Sequence, residues 1–253
     1  MSRKVIIPVI AIMAIAAIGY FVISKDSVTN PSSASSIVAS DVANAPVEQN
    51  EEAITTTEEV VTSSDAGTQV AAVTIDVDAA LAERTLGKAD APVTIEEFAS
   101  LTCGHCANFN ATTMKDIKKN LVDKGKVKFV YTDFPLNAPA LDAAMIARCL
   151  PEQHYFKFLD VLFDKQNDWA YQEDYRTNLR GYAALLGMST ATFDACISNE
   201  KLREGLLARM KDKADKHQIN STPSVVINNG ETIRGGASYE VIKTKVEALS
   251  DAQ

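Results

Sequence analysis

The stretch from residue 83 to residue 106, ERTLGKADAPVTIEEFASLTCGHC, decides the fold. Its middle, VTIEEFAS, is rich in Val, Thr, Ile and Phe and reads as a β-strand. The strand runs into Cys103-Gly104-His105-Cys106, and the residues from Cys103 to about Lys124 read as a helix ended by Gly125. A Cys-x-x-Cys pair by itself is open to two further readings, a metal half-site or a structural bridge. Where a strand becomes a helix it has a third meaning. A helix start offers unpaired backbone N–H groups and a partial positive charge, and both favour thiolate over thiol. Cys103 is then the exposed nucleophile of low pKa. Cys106, about one helical turn on, is close enough to attack the mixed disulfide that Cys103 forms with a substrate. Of the residues between them, His105 is placed to stabilise the thiolate and make the disulfide more oxidising; its other reading is a solvated side chain on the first turn. His154 and His217 lack such neighbours and read as surface or capping residues.

Beyond this helix, KVKFVYTDF (126–134) reads as a second strand. From Ala138 to about His217 the patterns are all helical, among them ALDAAMIARCL, YFKFLDVLFD and NEKLREGLLARMKDKADKH. The chain returns to β with SVVIN (224–228), a turn at Asn229-Gly230, a short strand ETIRG and a last helix from Tyr239 to about Leu249. Upstream, DVDAALAER (76–84) reads as a short helix with acids in its first turn, followed by a turn at LGKADAP. The order β-α-β, helices, β-β-α gives an α/β class: a thioredoxin-like fold with an all-helical insertion at about 138–217.

Residues 82–253 resemble the DsbA-like branch of the thioredoxin superfamily in the stretch 83–106, in YTDFPL (131–136) and in STPSVVIN (221–228). The resemblance implies a thiol-disulfide oxidoreductase, and His105 stands where oxidising relatives carry a histidine. It sets Glu97 at the position of a buried carboxylate that assists proton transfer from the resolving cysteine; read by itself, a strand carboxylate usually points to water, and its neighbour Glu96 shows that acids are tolerated there. It makes Pro223, after Thr222, a cis proline whose loop packs against the cysteine pair and offers its backbone to an extended substrate. The plainer reading is a strand-edge proline, which cannot donate a hydrogen bond.

Cys149 and Cys196 stand alone within helix-like runs. A structural disulfide between them closes a loop of roughly 47 residues and is worth about 4 kcal/mol in the chain-entropy model; two buried free thiols or a second redox pair are the alternatives. A zinc site would show two close pairs, or one pair with nearby histidines. Neither structural metal nor cofactor is expected.

Residues 5–24, VIIPVIAIMAIAAIGYFVIS, carry no charge and are about long enough to cross a bilayer core. Arg3 and Lys4 before them place the N-terminus in the cytoplasm and the rest outside it. The run exceeds a signal-peptide core and has no clear cleavage site, which favours an uncleaved anchor (1–25) over a cleaved signal with a soluble periplasmic product. Residues 26–75 are Ser, Thr, Ala and Glu-rich and read as a disordered linker before a domain at 76–253. Residues 26–80 hold ten acids and no Lys or Arg, so residues 81–253 carry only −1 of the overall −8. A nearly neutral domain argues against nucleic acid. An even number of cysteines in an exported chain fits an oxidising compartment. The implied partners are cysteine-containing exported proteins and a membrane redox protein that resets the pair, at the extracytoplasmic face of the cytoplasmic membrane. Isomerase or reductase activity, or a non-catalytic chaperone or binding module braced by its cysteines, are the competing functions.

Overall fold

The computed structural model describes residues 72–250; the proposed membrane segment at 5–24 and most of the linker lie outside them. Among the described residues no helix is long and apolar enough to cross a membrane. The chain runs α1 (Val77–Leu81), β1 (Arg84–Leu86), β2 (Val93–Ala99), α2 (Gly104–Ala111), α3 (Thr113–Ile117), a π-helical turn (Lys118–Val122) and β3 (Val127–Asp133). An insertion follows, of α4 (Ala138–Cys149), α5 (Glu152–Asp164), α6 (Gln166–Trp169), α7 (Tyr175–Leu185), α8 (Thr190–Ile197) and α9 (Glu200–His217). Then come β4 (Ser224–Ile227), β5 (Thr232–Arg234) and α10 (Tyr239–Ser250).

The sheet order is β1-β3-β2-β4-β5. The central strand β2 is parallel to β3, with Glu97 opposite Tyr131, and antiparallel to β4, with Phe98 opposite Ser224. Both β2 and β3 are buried along nearly their whole length, including the acids Glu96, Glu97 and Asp133 that interrupt their apolar residues. The segment after α1 differs from its sequence reading. Arg84–Leu86 forms an edge strand antiparallel to β3, and three residues are too few for an alternation to be visible. The helix expected from Cys103 to Lys124 is also not continuous. It breaks at Thr112, whose hydroxyl donates back to the Asn108 carbonyl (2.8 Å), a bond that bends helices, and its last turn before Gly125 (φ +68°) is π-helical.

The main core joins the sheet to α5 through Phe129, Tyr131, Tyr155, Phe158 and Leu162, with Trp169 of α6. A second cluster (Ala80, Ala144, Met145, Cys196, Leu202 and Leu206, with Ile75 against it) joins α1, α4, α8 and α9. Cys149, ending α4, is bonded to Cys196 of α8, with Cα atoms 6.3 Å apart. Two buried guanidinium groups fasten α1. Arg148 pairs with Asp133 (2.6 Å) and donates to the carbonyls of Ala80 and Ala82; Arg84 donates to those of Ala79 and Arg148. Both arginines lie over the ring of Tyr155.

Candidate active site

Strand β2 ends at Ala99, and a short loop delivers Cys103 to the N-cap of α2, in extended conformation (φ −87°, ψ 116°) and without a side-chain cap bond. A side-chain cap would have taken one of the first-turn N–H groups; here the sulfur is the group beside them. Cys103 is half-buried and Cys106 wholly buried, and both are free thiols. Partial burial pushes the Cys103 pKa up. Hydrogen bonds from the Thr222 side chain, the Cys106 thiol and the backbone N–H groups of Cys106 and His105 outweigh it, and the net shift is downward. Cys106 is shifted the other way and strongly, first by burial and then by the charge of Glu97. The two thiols are thus chemically distinct: one poised to be a thiolate at the surface, the other held protonated beneath it.

The imidazole of His105 is exposed, so its established link to the sulfur is through its backbone N–H. Glu97 is only 4% exposed, and burial raises its carboxyl pKa to about 8, against the opposing pull of the Lys118 ammonium. Lys118 is itself held by both oxygens of Asp160 (2.9 and 2.8 Å). Glu96, on the opposite face of β2, does not point to water either. It is 8% exposed and accepts from Thr132 and from Lys213, each at 2.6 Å. One buried carboxylate therefore has a cation in contact with it, and the other is left to hold its proton.

The Thr222-Pro223 peptide bond is cis and opens β4. The register of β4 on β2 brings Thr222 over the redox loop, where its carbonyl oxygen lies 3.5 Å from Cys103 Sγ. Cys103, Cys106, Glu97, Thr222 and Pro223, separated by up to 126 positions in sequence, thus meet at one end of the sheet. Cys149 and Cys196 do not join them; they lie in the helical insertion. His217 proves to be buried, its ring edge-on to Phe98 at 6.0 Å, because the last turn of α9 packs on the sheet rather than ending in solvent. Burial lowers its pKa.

Two residues of this site carry no signal in the sequence. Gln166 donates to the carbonyls of Leu101 (2.8 Å) and Cys103 (3.1 Å), and Tyr171 to that of Thr102 (3.1 Å). Both come from a polar stretch of the insertion with no motif, and only the fold brings them to the cysteines. Among the described residues no three His, Cys, Asp or Glu side chains converge as a metal-binding set.

A family model described as thioredoxin matches residues 79–248. A protein of Rickettsia conorii provisionally named protein-disulfide oxidoreductase is 31% identical over 172 residues, covering 68% of this chain and 61% of its own length. The chain thus spans about three fifths of that relative. Disulfide bond formation protein D of Bacillus subtilis is 31% identical, with 64% of this chain and 74% of that protein covered. Among solved structures, α-DsbA1 of Wolbachia pipientis matches with a TM-score of 0.62 and 27% identity, over 66% of this chain and 90% of that one. Oxidised BdbD of Bacillus subtilis matches with a TM-score of 0.60 and 27% identity, over 66% and 92%. With its model match over most of the described residues, and with its redox pair on the same fold as these relatives, the chain belongs to the DsbA-like family of the thioredoxin superfamily.

Proposed function

We propose that this protein is a thiol-disulfide oxidoreductase that introduces disulfide bonds into exported proteins through Cys103 and Cys106. The observation that carries the reading is the asymmetry of the pair: Cys103 half-exposed on a helix N-terminus with a lowered pKa, Cys106 buried against Glu97 with a raised one. In the oxidised enzyme a substrate thiolate attacks Cys103 Sγ, the Cys103–Cys106 bond breaks, and Cys106 leaves as a thiolate that takes a proton from Glu97. A second substrate thiol, as thiolate, then attacks the substrate sulfur of the mixed disulfide. Cys103 departs as a thiolate stabilised by the helix terminus, and two electrons have passed to the enzyme. The loop at Thr222 and Pro223 offers the backbone along which an extended substrate aligns. A membrane redox partner resets the pair, and the apolar segment 5–24 holds the enzyme at the extracytoplasmic face of the membrane. The name of the Rickettsia relative supports the class of chemistry and that of the Bacillus subtilis relative its direction.

The test is trapping. Cys106→Ser, given reduced and partly oxidised exported proteins, accumulates covalent mixed disulfides through Cys103, whereas Cys103→Ser forms none and loses both insulin reduction and oxidative refolding. Equal and mild effects of the two substitutions would reject the roles, and resistance of the pair to mild reductants would favour a binding module braced by its cysteines. A disulfide isomerase or reductase is the second reading, supported by Thr222, whose position before Pro223 resembles that of isomerases and whose side chain reaches the sulfur.

A further inference from the structure

The helical insertion grips the redox loop at one place. Gln166, the first residue of α6, is 5% exposed, and its carboxamide nitrogen donates to the carbonyl oxygens of Leu101 and Cys103 at 2.8 and 3.1 Å. Tyr171, just past the end of α6, donates its hydroxyl to the carbonyl between them, that of Thr102, at 3.1 Å. Three consecutive carbonyls leading into the Cys-x-x-Cys pair are therefore bonded by side chains that lie 63 to 69 positions further along the chain. The Cys103 carbonyl also accepts the first helical bond, from Ala107 N–H, so Gln166 adds a second donor to it. The amide oxygen of Gln166 lies over Gly104, which brings the whole carboxamide against the first turn of α2.

Carbonyl oxygens carry partial negative charge, and those of Leu101, Thr102 and Cys103 belong to the loop that carries the reactive sulfur, where their charge opposes its ionisation. A donor on each oxygen offsets that charge at a site partly withdrawn from water, where such dipoles count for more than at an open surface. Gln166 and Tyr171 supply those donors.

We propose that Gln166, supported by Tyr171, is a positioning residue for the redox pair: by bonding the carbonyls of Leu101, Thr102 and Cys103 it stabilises the dithiol form, with Cys103 as thiolate, and keeps the disulfide oxidising. The inference rests on the oxidoreductase reading and adds to it a control exerted by the inserted domain on the thioredoxin part. It separates the effect of the insertion on chemistry from its effect on stability, since these donors act on the sulfur only through the carbonyls they hold.

The test equilibrates the full chain with glutathione buffers and reads the alkylated Cys103 and Cys106 by mass spectrometry, alongside the pH dependence of Cys103 alkylation and the melting temperature. Gln166→Met keeps the side-chain length and loses both donors. Its disulfide becomes favoured by about threefold in the equilibrium constant, equivalent to about 14 mV in the reducing direction, and Cys103 titrates at higher pH. Gln166→Glu, which places an acceptor where the donor was, shifts both further the same way. Tyr171→Phe removes only the hydroxyl of a ring that is 62% exposed, so it folds normally; it gives a smaller shift of the same sign. A purely structural role would lower melting temperatures and leave the equilibrium constant and the thiol titration of Gln166→Met and Tyr171→Phe at wild-type values, and that result would overturn the inference. Wild-type protein that does not exchange with glutathione at all would overturn the oxidoreductase reading and the inference with it, a failure visible before any substitution is made.

Discussion

Glu97 is a carboxyl group kept next to Cys106, the sulfur that must accept a proton when it leaves as a thiolate. With its folded pKa raised to about 8, it is protonated near neutrality while its unfolded counterpart ionises near 4.5. Between those values the unfolded chain releases a proton that the folded one retains, so stability falls as pH rises from about 4.5 to about 8 and levels off above. Glu97→Gln removes that slope. The variant should match wild type near pH 4 and exceed it by a few kcal/mol at pH 8, as read by denaturant unfolding across pH; parallel curves would show that Glu97 is ionised or solvated. In the same variant a substrate thiolate should open the Cys103–Cys106 disulfide roughly a hundredfold or more slowly at pH 7, the scale on which a positioned acid contributes. His105 tests the neighbouring effect. His105→Pro removes a backbone N–H beside Cys103 as well as the imidazole, and it should move the potential tens of millivolts in the reducing direction, measured by glutathione equilibration; an unchanged potential would reject any role for that residue.

At the scale of elements, the redox helix was legible because its signals are local: a strand of β-branched and aromatic residues, a cysteine pair at its exit, a glycine at the far end. The break at Thr112 was not, since it depends on a hydroxyl turning back to Asn108, and threonine is equally compatible with an unbroken helix. Edge strand β1 escaped for lack of length, and Gln166 and Tyr171 because nothing in their neighbourhood distinguishes a loop-holding amide from a solvated one. The burial of Glu96 was missed for a similar reason, its cation Lys213 lying 117 positions away. Helices α4 and α8, by contrast, are joined covalently through Cys149 and Cys196. Replacing both cysteines with Ala should lower stability by about 2 to 4 kcal/mol, seen as a lower melting temperature, with trapping by Cys103 retained. Loss of all exchange activity in that variant would instead make the second pair part of the redox chemistry.

For the whole molecule, the proposed anchor predicts that the protein sediments with cytoplasmic membranes and that its mature N-terminus still includes residues 5–24; a soluble product starting after residue 24 would identify a cleaved signal. The domain as a unit should be clearly less reducing than thioredoxin, nearer the range of disulfide isomerases and DsbA. A potential at or below that of thioredoxin would move the isomerase or reductase reading ahead. The way α1 is fastened also sets how short the enzyme can be made. Two of its carbonyls, those of Ala79 and Ala80, and that of Ala82 just after it accept bonds from the buried guanidinium groups of Arg84 and Arg148. A truncation starting at Glu83 would remove these acceptors and leave the buried charges only Asp133 and the Arg148 carbonyl, although it spares every strand of the sheet. Trimming by an unspecific protease should therefore advance through the Ser, Thr and Glu-rich stretch and halt ahead of Asp76, leaving α1 on the resistant fragment as part of the smallest unit that folds.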